Sequence, residues 1–124
     1  MADMLVTFRN GVVANVHVDF FQVTRRRSSE YLGTEGTITL EMTEWEKAVV
    51  SSTRIGERGW RTTVLPMERD DMFLAMDAEF LSCVAERKQP RNDLREGVES
   101  LRIALAARES SRSGRSVAIT EGWT

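Results

Sequence analysis

The period of the apolar residues changes once along the chain, at Pro66, and this change restricts the fold more than any other feature. Before Pro66, short segments alternate between apolar and polar residues, as in TITLEM at residues 37–42. After it, Phe73, Met76 and Phe80 recur at the spacing of one helix face. Strands that are followed by helices, rather than interleaved with them, indicate an α+β fold with a mainly antiparallel sheet.

The first hairpin is predicted at Asn10-Gly11, the dipeptide best suited to a two-residue type I′ turn. This turn pairs Phe8 with Val13 and Met4 with His17. Both faces of the hairpin then mix apolar and polar residues, whereas a sheet with one face in water alternates cleanly. We therefore expect that this sheet is covered on both faces.

Further strand-like segments extend the hairpin into a meander of five or six strands. They are SSEYL, TITLEM, EKAVVSS and WRTTVL, with glycine-bearing connections at 33–36 and 55–59. In the first connection, GTEG, the glycines are expected to need positive φ. A dinucleotide-binding fingerprint has three glycines between a strand and a helix, so this loop between two strands does not qualify.

Two helices and a closing strand are predicted after Pro66. Asp93 with Glu96 three residues later has the spacing of a capping box at the start of the second helix. Gly114 is the expected left-handed stop of that helix, and SVAI at 116–119 is the expected last strand. The predicted architecture is an open antiparallel sheet with both helices packed on one face.

The composition excludes several classes of function. The chain has 124 residues, which suits a single domain over 1–124, and its net charge is only −2, which gives no general attraction to nucleic acid or to a membrane surface. No apolar run approaches the ~20 residues of a membrane span. A single cysteine and a single histidine cannot make a typical zinc site. The lone cysteine, with no signal peptide, indicates the cytoplasm.

Few residues are candidates for chemistry. His17 shares a strand face with Asn15 and Asp19, which could orient a general base, but a polar strip at an interface or cleft wall is the interpretation we favour. The arginines at 25–27 could hold a phosphate or a carboxylate, although a solvated loop is the simpler explanation. Cys83 is expected to be a small buried hydrophobe.

The three tryptophans, at 45, 60 and 123, show no clustering in the sequence that would indicate a ligand cage. We expect each of them to anchor a core or an interface.

Four segments together resemble one protein family. They are MLVTFRNGVVANVHVDF, YLGTEGTITL, FLSCVAERKQP and LRIALAARESSRSGRSVAI, and they occur in this order over nearly the whole chain. The pattern is similar to the C-terminal half of the Gfo/Idh/MocA family of NAD(P)-dependent oxidoreductases. The resemblance implies the open-sheet fold of a dihydrodipicolinate-reductase-like C-terminal domain.

The resemblance also implies a division of labour. The family's N-terminal Rossmann domain, its NAD or NADP site and its catalytic lysine segment are not found in this sequence, so no catalytic or cofactor-binding residue and no metal ligand is assigned, and we expect a fragment that is inactive alone. The sheet face away from the helices is expected to form a homo-oligomer. A small-molecule substrate, such as a sugar, polyol or related hydroxy compound, is expected to meet Phe21, Gln22, Thr24, Arg25 and His17. The alternative is a free-standing assembly or binding module with the same fold.

Overall fold

The computed structural model describes residues 1–120 and contains six strands and two helices in that range. The strands are β1 (Ala2–Thr7), β2 (Val13–Val18), β3 (Ser28–Leu32), β4 (Gly36–Glu41), β5 (Lys47–Arg54) and β6 (Arg61–Pro66), and the helices are α1 (Asp71–Glu86) and α2 (Leu94–Ser113). The α+β class with antiparallel pairing is therefore confirmed. Instead of one meander, the strands form a two-stranded sheet, β1-β2, and a four-stranded sheet, β3-β4-β5-β6.

The chain divides into two compact units. One comprises Met1 and Val18–Asp77, and the other comprises Ala2–His17 with the chain from Ala78 onward. The four-stranded sheet lies wholly in the first unit, and α2 and the β1-β2 hairpin up to His17 belong to the second. The assignment of residues 1–124 to a single domain stays a prediction, and Trp123 lies outside the described residues.

The loop between β1 and β2 has three residues rather than two. The Phe8 N–H donates to the Val12 carbonyl at 2.8 Å, and the Gly11 N–H donates to the Phe8 carbonyl at 3.0 Å. Gly11 has φ +85°, but Asn10 is not among the residues with positive φ. A type I′ turn needs positive φ at both central residues, so that prediction is wrong. The connection over 9–11 is a type I turn followed by a glycine bulge.

This loop shifts the hairpin register by one residue from the predicted one. Counted outward from the Phe8–Val12 hydrogen bond, Asp3 lies opposite His17, and Asp3 Oδ1 is 2.5 Å from His17 Nδ1. A shift of one residue moves side chains to the other face. One face now carries only apolar side chains: Met4, Val6, Phe8, Val12, Ala14 and Val16. The expectation of two mixed faces is therefore wrong for this hairpin.

The register of the four-stranded sheet separates its side chains onto two faces, because directly paired residues point the same way. We call one the apolar face; besides Ser52, Arg54, Arg61 and Thr63 it carries the apolar residues Tyr31, Ile38, Leu40, Ala48, Val50 and Leu65. We call the other the hydroxyl face; besides Glu30, Leu32 and Glu41 it carries Thr37, Thr39, Ser51, Thr53 and Thr62, with Val49 and Val64 among them. Ala48, 5% exposed, is the most buried apolar residue of this unit.

The glycines of the GTEG connection serve a different purpose from the one predicted. Neither Gly33 nor Gly36 has positive φ. A Cβ atom at Gly36 would instead lie 2.2 Å from the Thr53 carbonyl oxygen and 3.0 Å from Arg54 Cα. Gly36 is therefore needed because the backbone of β5 passes too close for a side chain.

The two ends of α2 follow the prediction. Asp93 Oδ1 accepts hydrogen bonds from the backbone N–H groups of Arg95 at 2.8 Å and Glu96 at 3.2 Å, which satisfies two free donors of the first turn. Gly114 has φ 67°, and its N–H donates to the Ser110 carbonyl at 2.9 Å. Both the Asp93 cap and the Gly114 stop are confirmed.

The predicted closing strand is wrong. Residues 116–119 are described, yet they belong to neither sheet. Four alternating residues form a strand only by pairing with another strand, so their sequence pattern alone is insufficient. By contrast, the prediction for Cys83 in α1 is confirmed, since it is a free cysteine with 8% of its surface exposed.

Candidate functional site

The four-stranded sheet has two ends with different chemistry. At one end, which we call the turn end, the GTEG connection lies beside the end of β5 and the start of β6, since Gly36 pairs with Arg54 and Ser52 pairs with Arg61. At the other, which we call the loop end, the pairs Ser28–Glu41 and Lys47–Pro66 bring together the segments at 19–27, 42–46 and 67–70. Antiparallel pairing thus gathers residues that are distant in sequence.

The turn end contains a concavity of about 500 Å³. Its lining includes Tyr31, Leu32, Ile38, Thr53, Arg54 and Glu57. The Glu57 carboxylate forms an ion pair with the guanidinium of Arg61, and the Thr53 hydroxyl donates to the Gly59 carbonyl at 2.9 Å. This volume lies within the range of small-molecule pockets. The mixture of aromatic, hydroxyl and charged groups suits a small polar ligand.

At the loop end, Asp19 organises the segment that contains most of the predicted substrate-lining residues. Its Oδ1 accepts hydrogen bonds from the N–H groups of Phe21 at 2.8 Å and Gln22 at 3.2 Å, and its Oδ2 accepts from Gln22 Nε2 at 3.1 Å. Such an Asx turn holds the loop without a strand partner. The Phe21 ring remains 81% exposed, and Thr24 is exposed as well, so both are open to a ligand or a partner.

Arg25 is the best-held of the predicted lining residues. Its guanidinium carbon lies 3.9 Å from the centre of the Trp45 ring, and its Nη1 donates to the carbonyls of Thr43 at 3.2 Å and Glu44 at 3.3 Å. Arg69 also approaches Trp45, at 5.3 Å. Both distances are within the reach of cation–π attraction. Arg25 is therefore half-buried and fixed in place, unlike the solvated arginine expected from the sequence.

His17, the fifth predicted lining residue, belongs to the other unit. Its contact with Asp3 places a carboxylate beside an imidazole nitrogen, an arrangement that can orient a base. Both side chains are about half exposed, however. Within residues 1–120, no three histidine, cysteine or acidic residues are grouped to hold a metal ion. A contribution of His17 to a substrate pocket stays a prediction.

Sequence reasoning missed the roles of Trp45 and Arg69. A signal was present, because β3 and β4 were predicted as neighbouring antiparallel strands. The segment before β3 must then meet the segment after β4, which contains Trp45. The loop after β6 meets the start of β5 by the same reasoning. The sequence does not show that Arg25 and Arg69, rather than other nearby cations, contact the Trp45 ring.

The comparison with protein-family models decides the family. The model described as the oxidoreductase family, C-terminal alpha/beta domain, matches residues 1–119, nearly the entire chain. The chain belongs to this family. The Gfo/Idh/MocA C-terminal domain predicted from the four ordered segments is thereby confirmed, with its α+β fold.

Other comparisons add nothing to the Gfo/Idh/MocA C-terminal domain assignment. No curated protein and no solved structure gives a significant match.

Among the described residues, neither helix is both long and apolar enough to cross a bilayer.

Proposed function

We propose that this Gfo/Idh/MocA C-terminal domain is the substrate-side and oligomerisation part of an NAD(P)-dependent oxidoreductase that acts on a sugar, polyol or related hydroxy compound in the cytoplasm. The observation that carries the proposal is the family match over residues 1–119. In this role the chain supplies a wall of the substrate pocket, while a Rossmann domain supplies the NAD or NADP site and the catalytic lysine.

The proposed pocket wall is the loop end of the four-stranded sheet. Phe21, Gln22, Thr24 and Arg25 lie on one segment that is held by Asp19 at one end and by the Arg25–Trp45 contact at the other. Fixing a loop in this way reduces the entropy lost when a ligand binds to it. The same four residues therefore form a preorganised edge for a small polar substrate.

Cofactor titration tests the division of labour. NAD(H) and NADP(H) are titrated separately into the chain by isothermal titration calorimetry, up to millimolar concentration. We expect no saturable heat, because this sequence has no glycine-rich turn between a strand and a helix to receive the pyrophosphate. Micromolar binding of either cofactor would refute the proposal.

The alternative is a free-standing assembly or binding module with the same fold. It also predicts no cofactor binding, so the gene distinguishes the two functions. A reading frame that continues upstream of Met1 into a glycine-rich dinucleotide motif supports the oxidoreductase, and a stop codon directly upstream supports the module.

We assign the oligomer contact to the hydroxyl face of the four-stranded sheet. On β5 and β6 this face has only small serine, threonine and valine side chains between Val49 and Val64, which suit the ~10 Å separation of two stacked sheets. An interface need not be more apolar than ordinary surface, so hydroxyl groups such as those of Ser51 and Thr62, 2.9 Å apart, are compatible with it.

Two adjacent threonines provide a matched test. Thr62 and Thr63 are exposed neighbours on β6, but Thr62 pairs with Ser51 on the hydroxyl face and Thr63 pairs with Val50 on the apolar face. In analytical ultracentrifugation at tens of micromolar we expect a dimer for the unmodified chain and for Thr63→Arg, and monomer for Thr62→Arg. A monomeric unmodified chain, or equal effects of both substitutions, would contradict this assignment.

A further inference from the structure

We infer that Arg25 and Arg69, brought together by Trp45, form a binding site for a phosphoryl group. The two guanidinium carbons lie 3.9 Å and 5.3 Å from the centre of the same indole ring, so they are within about 9 Å of each other. Where both guanidiniums reach the same edge of the ring, one tetrahedral dianion can contact both cations, with bidentate hydrogen bonds from either one.

The hydrogen-bonding capacity of the two arginines is largely unused. Arg25 donates from Nη1 to the carbonyls of Thr43 and Glu44, which leaves Nε and Nη2 for another acceptor. Arg69 makes no hydrogen bond to an acceptor in the described part of the chain. A guanidinium that lies against an indole keeps its in-plane N–H groups directed outward, where an oxyanion can accept from them.

Neither arginine is neutralised by a carboxylate of residues 1–120. Other cations are paired, for example Lys47 with Glu44 at 2.9 Å. Within residues 1–120, however, no ion pair includes Arg25 or Arg69. Two like charges held beside one ring repel each other, and an anion that contacts both of them offsets this repulsion. A bound dianion removes this repulsion, which is why the arrangement favours a phosphoryl group over an uncharged ligand.

The site is also built on fixed elements. Trp45 follows β4, Arg25 precedes β3, and Arg69 follows β6. The paired strands therefore determine where the loop segment that carries each residue begins or ends. The indole is 45% exposed, which leaves room for a ligand at its edge. The site shares Arg25 with the proposed pocket wall, but it depends neither on the cofactor nor on the oligomer, so its failure would leave the proposed function intact.

The test follows the indole N–H signal of Trp45 by NMR, assigned with a Trp45→Phe variant, at constant ionic strength. Inorganic phosphate, a sugar phosphate monoester and the corresponding uncharged sugar are titrated separately into the chain. We expect saturable shifts with both phosphates and none with the sugar. A sugar phosphate that binds at least tenfold more tightly than phosphate identifies an organic phosphate as the ligand, and equal affinities identify the free ion.

Substitutions locate the binding. Arg69→Gln removes one cation without breaking a hydrogen bond of the described fold, and we expect it to weaken phosphate binding at least about tenfold, as loss of a charge-assisted bond requires. Arg25→Gln is expected to have a similar effect. Arg58→Gln, an equal change of charge in the exposed loop between β5 and β6, is the matched control and should leave the affinity unchanged. Linear, unsaturated shifts, or equal weakening by Arg58→Gln and Arg69→Gln, would overturn the inference.

Discussion

Replacing Gly36 with alanine tests the close approach of β4 and β5. The added Cβ would lie 2.2 Å from the Thr53 carbonyl oxygen, more than 1 Å inside the 3.4–4 Å of ordinary contact. The neighbouring atoms are backbone, so no side chain can rotate away, and the Gly36–Arg54 pair must separate. Overpacking of this kind costs typically 1–3 kcal/mol. Because the obstacle is a hydrogen-bonded strand, we expect about 3 kcal/mol.

This loss is large for a chain of this size. Domains of 124 residues have free energies of unfolding of roughly 6–19 kcal/mol, and a loss of about 3 kcal/mol lowers Tm by roughly 10 °C. Urea unfolding followed by far-UV circular dichroism measures the difference directly. The slope of the transition should stay constant, because the surface exposed on unfolding is nearly unchanged.

Two other glycines serve as controls. Gly33 lies in the same connection, but its nearest atom to an added Cβ is 3.5 Å away and its φ is not positive, so Gly33→Ala should be neutral to within about 0.5 kcal/mol. Gly11 has φ +85° and open space around it, so Gly11→Ala should cost only the backbone strain, about 1 kcal/mol. The explanation for Gly36 is refuted if Gly36→Ala and Gly33→Ala have equal stability.

Two further predictions concern the helices. Asp93→Ala should lower the free energy of unfolding by about 1 kcal/mol in urea titrations, because α2 loses its cap. Asp93→Asn should retain most of the stability, because asparagine caps equally well. Equal losses for the two variants would show that the capping hydrogen bonds contribute nothing. Hydrogen bonds from Lys88, which has the larger effect, and from Ser82 hold the pKa of the Glu86 carboxyl below its ordinary value of 4.5. The contribution of the ionised Glu86 carboxylate to the stability of the fold is therefore present above pH 4.5 and is lost as the pH falls through the lowered pKa. An NMR titration should place the Glu86 midpoint below 4.5, and Lys88→Gln should raise it; an unchanged midpoint would exclude Lys88 as the cause.

Most strand and helix positions could be predicted because each depends on local periodicity. The predicted segments SSEYL and TITLEM overlap β3 and β4, and the stop at Gly114 is where the left-handed residue ends α2. These features need only alternation, helical spacing or one glycine. The family was predictable too, since it follows from the order of four segments.

Features that depend on two segments at once were harder to predict. The Asn10-Gly11 dipeptide fits both a two-residue and a three-residue loop, and the choice decides which residue faces His17. Gly36 looked like a turn glycine because the approach of Thr53 is not visible in the sequence. Likewise, the Arg25–Trp45–Arg69 contact depends on side-chain geometry at the loop end. A local sequence pattern predicts a strand, helix or turn, whereas a contact between two distant segments is visible only in the structure.

The three-residue connection at 9–11 sets which residues of β1 and β2 lie opposite each other. If the codon for Val12 were deleted, the same loop would place Val13 opposite Phe8, and every side chain of β2 would be turned over relative to β1. The uniform apolar surface of Met4, Val6 and Phe8 with their partners would become a patchwork, although no residue of the loop had changed. Single-residue insertions and deletions within these strands are therefore expected to be tolerated far less than substitutions.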